Sequence, residues 1–170
     1  MNPADDRAQQ PNEVAATDHD TRTARLLVAA QFTLIAVIVI LPGRQDWPLP
    51  RVLAVACLFA VVVGGLIMVV GATALGRGLT AAPLPNAHAE LRTGGLYRFV
   101  RHPIYTGLLL VMGALTVASG SALRLLVLGL LVVLLARKAR WEEARLAARF
   151  PRYTEYAAHT PRFVPFSGRR

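Results

Sequence analysis

Cysteine is nearly absent: Cys57 stands alone inside an apolar run. One thiol closes no intrachain disulfide and builds no zinc cluster, so Cys57 reads as a small buried hydrophobe. Charge is scarce too, at 17% of residues, where a soluble domain carries about 25%. The shortage is local, for no charged residue occurs in 26–41, 52–75 or 104–123. The amino-terminal stretch lacks the net positive charge and short apolar core of a signal peptide, and the ending Ser167-Gly168-Arg169-Arg170 is no lipidation box.

What is present is apolar and arrives in long runs. The hydrophobic fraction is 54%, and runs of this length are the mark of membrane segments rather than of a soluble core. Residues 1–24 are polar, with Pro3, Pro11 and five acids, and read as a disordered tail. Leu26–Leu41, broken only by Gln31 and Thr33, spans about 24 Å as a helix. Pro42-Gly43 ends it, and Trp47 suits an interfacial turn. Val52–Leu75 is the strongest spanning segment. A polar connection, 76–103, follows, and a connection this long needs a purpose.

Ile104–Leu123 is uncharged again, with a turn expected at Ser119-Gly120-Ser121. Leu125–Ala136 has few residues for a crossing. Either Arg124 and Arg137 snorkel to the two interfaces, or 104–136 forms a re-entrant hairpin. The helical period continues to about Phe150, with a charged surface after Arg137, and Pro151 stops it. The expected fold is all-α: a multi-pass membrane protein with about four transmembrane helices and a cytoplasmic helical extension at the C-terminus. Its parts are the tail 1–24, two helices in 25–75, a cytoplasmic loop 76–103, a hairpin 104–136 and a cytoplasmic helix and tail 137–170.

Net charge is +9, and its distribution orients the chain. Four crossings would place 16 basic residues on one side and three on the other. Positive charge stays inside, so both termini and 76–103 are expected to be cytoplasmic, at the plasma (inner) membrane. Membrane lipids are the expected surroundings. Nucleic acid is not an expected partner, because most of 26–136 is apolar.

Two polar stretches then meet at the cytoplasmic face, since a very short turn joins the helices that carry them. One holds Gly94-Gly95, Tyr97, Arg101-His102-Pro103 and Tyr105, and the other Trp141, Glu142-Glu143, Tyr153 and Tyr156. Arg101 and His102 offer donors to a carboxylate or phosphate. Glu142 and Glu143 offer acceptors to an ammonium or to ribose hydroxyls. The aromatic rings offer flat faces, and the glycines allow close backbone approach. A zwitterionic, nucleotide-like cofactor such as S-adenosyl-L-methionine fits this inventory. Each residue also has a plainer use. Arginines mark topology, Glu142 and Glu143 pair along a helix surface, aromatics anchor at an interface, and His102-Pro103 starts a helix. His88 and His102, fourteen apart with no cysteine nearby, do not suggest a metal site.

The run Leu91-x-Thr93-x-Gly95-x-Tyr97-x-x-x-Arg101-His102-Pro103-x-Tyr105-x-Gly107 resembles the signature of the isoprenylcysteine carboxyl methyltransferase family, which is grouped with the phospholipid methyltransferases. Glu142-Glu143-x-x-Leu146, Phe150, Tyr153, Tyr156 and Pro161-Arg162-x-x-Pro165 resemble its C-terminal block, and Leu75-Gly76 and Thr80 are similar to what precedes it. Leu96 stands where proline is common and Pro151 where glycine is. The resemblance covers about 72–166.

It implies a membrane methyltransferase using S-adenosyl-L-methionine on a lipophilic or lipid-linked acceptor that enters from the bilayer. Cofactor contacts are expected from Gly95, Tyr97, Arg101, His102, Pro103, Tyr105, Glu142 and Glu143. A carboxylate acceptor needs no base, whereas an amine, hydroxyl or thiol would use His102 or Glu143. Other classes remain open: an NADPH-dependent sterol or enone reductase, whose C-terminal block is similar, and a membrane scaffold without catalysis.

Overall fold

The computed structural model describes residues 18–44, 46–78 and 91–165, giving only the backbone at Asp18 and Arg77. These residues form five α-helices and no strand: α1 Asp18–Ile40, α2 Arg51–Leu75, α3 Pro103–Ala118, α4 Ala122–Arg149 and α5 Tyr153–His159. Short 3-10 turns occupy Gly76–Gly78 and Gly95–Arg98. By length and composition α1 and α2 suffice to cross a membrane, and α3 is a shorter apolar helix.

Helix α1 takes in the last seven residues of the expected polar tail, 18–24. Residues 18–24 are therefore helical, and Asp20 forms an ion pair with Arg145 of α4. The remainder of that tail lies outside the described residues, as do Thr80, His88 and 79–90 of the polar connection. Helix α4 runs unbroken from the turn to the residue before Phe150, with the Ser121 hydroxyl accepting from the Arg124 backbone N–H at its start.

Laterally, α3 lies between α2 and α4, and α1 packs mainly on α4. Ile38 of α1, Leu108 and Met112 of α3, and Val127, Leu131 and Leu135 of α4 make the buried core. The α2–α3 seam is closer than side chains normally permit. A Cβ placed on Gly107 would lie 2.5 Å from the Gly64 carbonyl oxygen, and one on Gly64 would lie 2.8 Å from the Gly107 oxygen. Small residues let membrane helices touch backbone to backbone in this way. The outward face of α2, including Val55, Phe59, Val62 and Leu66, is exposed and apolar.

The two turns at one end are stapled together. The Arg44 and Asp46 amides donate to the Ser119 and Gly120 carbonyls at 3.0 and 2.9 Å. The Trp47 indole donates to the Val117 carbonyl, and the Arg124 guanidinium to that of Leu41. The Asp46 carboxylate accepts the Ala122 N–H at 2.9 Å, a bond that holds its pKa below the ordinary value. Gly120 has φ +60 and a Cβ there would meet the Arg44 oxygen at 2.4 Å, so only glycine fits. This staple fixes the α3–α4 hairpin. The opposite ends of α3 and α4 are thereby held side by side, where the polar residues collect.

Candidate active site

His102 caps α3, whose first residue is Pro103. Proline is preorganised for that position, so the plain reading of His102-Pro103 as a helix start holds. The imidazole is not left to solvent: His102 is 7% exposed, and its Nε2 lies 3.0 Å from Oε1 of Glu143 on α4. The neighbouring Tyr105 stacks on the imidazole with ring centroids 5.3 Å apart and planes within 3°. Its hydroxyl donates to Glu142 Oε2 at 3.0 Å. The two helix ends expected to meet do meet, and through these side chains.

Glu143 is the hub. Besides His102 it accepts from Arg162 through Nε at 2.9 Å and Nη2 at 2.6 Å, and Arg101 Nη1 stands 3.6 Å away. Burial pushes its carboxyl pKa up, but the His102 and Arg162 hydrogen bonds and the nearby His102 and Arg101 charges outweigh that and hold it at about 2. A carboxylate so placed is a poor base at neutral pH. Being ionised it can only accept, so His102 Nε2 carries the hydrogen of that bond, while Nδ1 lies 3.9 Å from Glu142 Oε2.

The C-terminal segment closes the cluster as a strap. Arg101 and His102 donate their backbone N–H to the carbonyls of Pro161 and Arg162 at 2.9 and 3.2 Å. The Thr106 hydroxyl reaches the Phe163 carbonyl at 2.8 Å. These bonds lay Arg162 onto Glu143 and the Phe163 ring against His102 and Tyr105, with centroids at 5.9 and 6.4 Å. Neither Arg162 nor Phe163 was among the sequence candidates. Pro161-Arg162 in the C-terminal block was the available signal.

Lys138 was also missed. It is 2% exposed, one turn before Glu142, with Nζ 2.7 Å from Gln31 of α1 and 5.3 Å from the Tyr105 ring centre. Gln31, visible in the sequence only as an interruption of an apolar run, thus brings α1 to the site.

Tyr97 and Gly95 sit apart from the hub. The Tyr97 hydroxyl donates to the Gly71 carbonyl at 3.2 Å, tying the 3-10 turn to α2. Burial, reinforced by the charge of Glu142, raises its pKa. Gly95 takes φ +59, open to solvent among the described residues, a conformation that favours glycine. Tyr156 donates to the Tyr97 carbonyl. Burial, with Arg101 opposing and Glu143 assisting, brings its own pKa to about 12. Tyr153 is buried within reach of the Arg101 charge. Neither its hydroxyl nor Arg101 Nε makes a hydrogen bond of good geometry among the described residues.

With this geometry in place, the match to known proteins has a physical setting. Residues 52–152 match the phospholipid methyltransferase family, and that stretch takes in α2 from its second residue, all of α3 and α4, and every residue from which cofactor contacts were expected. The chain belongs to the phospholipid methyltransferase family. Its members are integral membrane methyltransferases related to the isoprenylcysteine carboxyl methyltransferases. No curated protein matches the chain. Arg162, which grips the hub, and Gln31, which holds Lys138, lie outside the family match.

Proposed function

We propose that this family member transfers a methyl group from S-adenosyl-L-methionine to a lipophilic acceptor that arrives from the bilayer. The observation that carries the proposal is the buried convergence of Arg101-His102 with Glu142-Glu143 from two facing helix ends. The donor set matches the cofactor. Arg101 Nε and the Tyr153 hydroxyl, which make no hydrogen bond of good geometry among the described residues, suit its carboxylate, and Glu142, which accepts from the Tyr105 hydroxyl and lies 3.9 Å from the His102 ring, suits its ammonium. When bound, the cofactor supplies an electrophilic methyl group on a sulfonium.

In this reading Glu143 is a positioning residue. It spends its lone pairs on Arg162 and His102, and so fixes the imidazole tautomer and the Arg101 guanidinium. His102 Nδ1 is the atom that takes a proton when the acceptor is an amine, hydroxyl or thiol; a carboxylate acceptor leaves it idle. Tyr105 and Phe163 flank the ring and exclude water. The protein's main contribution is alignment in a dry site, worth about 7–11 kcal/mol when geometry is near attack.

The reading includes four crossings, with α3 and the apolar part of α4 as the third and fourth, and both termini on the cytoplasmic side. It is tested by thermal unfolding in detergent with saturating S-adenosylhomocysteine, with NADPH, or with neither. S-adenosylhomocysteine at 100 times its Kd is expected to add about 2.7 kcal/mol, and His102→Ala to abolish the shift. Stabilisation by NADPH alone would replace the methyltransferase reading with a reductase.

A further inference from the structure

One stripe of α4 runs Leu131, Leu135, Lys138, Glu142, at spacings of four, three and four, so these side chains follow one another along a single helix face. Leu131 and Leu135 are fully buried in the apolar core. Lys138 continues their stripe and is almost as enclosed, at 2% exposed. Such a lysine is rare, because its ammonium leaves water and its long stem loses rotamer freedom. Apolar residues in place of a buried polar pair are often neutral or stabilising. Stability alone therefore gives no reason for a lysine at this position.

Its contacts do give one. Lys138 Nζ donates to the Gln31 side-chain oxygen of α1 at 2.7 Å. It also stands 5.3 Å from the centre of the Tyr105 ring, inside the reach of a cation–π attraction, about 6 Å. Glu142, one turn on, acts on it electrostatically. Tyr105 in turn stacks on the His102 imidazole and donates its hydroxyl to Glu142. The torsion that turns a tyrosine ring has broad wells, so backbone position alone does not keep the ring parallel to the imidazole. An ammonium against the ring narrows that freedom. Gln31 narrows the freedom of the ammonium, which rides on a flexible four-carbon stem. Restraint thus passes from Gln31 to Lys138, to Tyr105, and so to His102 and Glu142.

We infer that Lys138, steadied by Gln31, is a positioning residue of the methyl-transfer site: it holds Tyr105 against His102 and Glu142. Through Gln31 it makes the seat of α1 on α4 a condition of that alignment. This rests on the S-adenosyl-L-methionine reading above, and it extends the site to α1, outside the family match.

Calorimetry with S-adenosylhomocysteine, paired with thermal unfolding, tests it on the full chain in detergent. Gln31→Leu/Lys138→Met replaces the pair with apolar residues of similar volume. Its melting temperature is expected to match or exceed that of wild type, while S-adenosylhomocysteine binds roughly 2- to 30-fold more weakly, the span of a cation–π contact. A pair that only held helices together would move both readouts in one direction. In a Tyr105→Leu background, with no ring to hold, the same double substitution should cost little further affinity. Gln31→Glu keeps an acceptor for the ammonium and should recover most of the affinity that Gln31→Leu loses. Thr33→Leu, at an exposed polar position of the same helix, should bind as wild type does. Wild-type affinity in Gln31→Leu/Lys138→Met, with no binding by His102→Ala, would overturn the inference and leave the methyltransferase reading standing. A melting temperature that falls with the affinity, an equal loss in the Tyr105→Leu background or an equal loss in Thr33→Leu would overturn it as well. Absence of binding to folded wild type would remove the reading and the inference together.

Discussion

A single carboxylate, Glu143, holds three cationic or hydrogen-bonding partners that come from the two residues leading into α3 and from the C-terminal strap. Taking away its charge strands Arg162, Arg101 and His102 in a buried setting, and breaking one partner out of such a pair costs about 3–5 kcal/mol. Glu143→Gln is therefore expected to lower stability by that amount in chemical or thermal unfolding, and not only to reduce activity. The pH dependence has a definite sign. The folded carboxyl is held at about 2 against an ordinary 4.5, so its contribution is complete above about 4.5 and is lost as pH falls toward 2. Unfolding scans between pH 2 and 6 should show a downward slope in wild type that Glu143→Gln lacks. His102, Glu142 and Glu143 could be paired from sequence because a three-residue turn joins their helices and forces their far ends together. Arg162 could not be paired that way. Its reach to Glu143 depends on α5 and the strap folding back, which no periodicity encodes.

Helix α3 is set in place by its seam with α2 rather than by its own length. At Gly107 the obstacle to a larger residue is backbone, the Gly64 carbonyl, which cannot swing aside as a side chain can. Gly107→Ala is expected to cost about 1–3 kcal/mol and, by pushing α3 outward, to weaken the S-adenosylhomocysteine binding proposed at His102, about one and a half turns away. Gly65→Ala, with no described atom near its Cβ, should be neutral or gain up to about 1 kcal/mol in helix propensity. Equal melting temperatures for the two variants would contradict this account of the seam. The sequence located both helices because uncharged runs are unambiguous. It showed that glycines were there, but not which of Gly64 and Gly65 faced the partner, since both neighbours fit an apolar period equally well. It also started α1 too late. The polar letters of 18–24 hide a helical turn whose Asp20 pairs with Arg145, and only the position of α4 explains that pairing.

Across the whole molecule the staple and the polar cluster lie at opposite ends of the bundle, and basic residues gather at the cluster end. The proposed orientation can be read with single cysteines in a Cys57→Ala background. Leu49→Cys lies in the exposed turn and should react with an impermeant thiol reagent on intact cells. Thr154→Cys on α5 should react only after permeabilisation. The opposite pattern would invert the orientation. Asp46 is unsuitable for such a probe because its carboxylate caps α4. The overall order of helices was legible because hydropathy and breakers such as Pro42-Gly43 and Pro151 act locally. The arc in which they pack was not, since lipid-facing and protein-facing apolar residues look alike in one dimension. The strap at 160–163 adds a constraint in time. During synthesis the four long helices are all made before this segment exists, so the ribosome finishes the scaffold first and the strap over the Glu143 cluster last. A nascent chain halted anywhere before Arg162 would hold its Glu143 carboxylate without the guanidinium that grips both of its oxygens, and would gain that partner only once translation passes the residue.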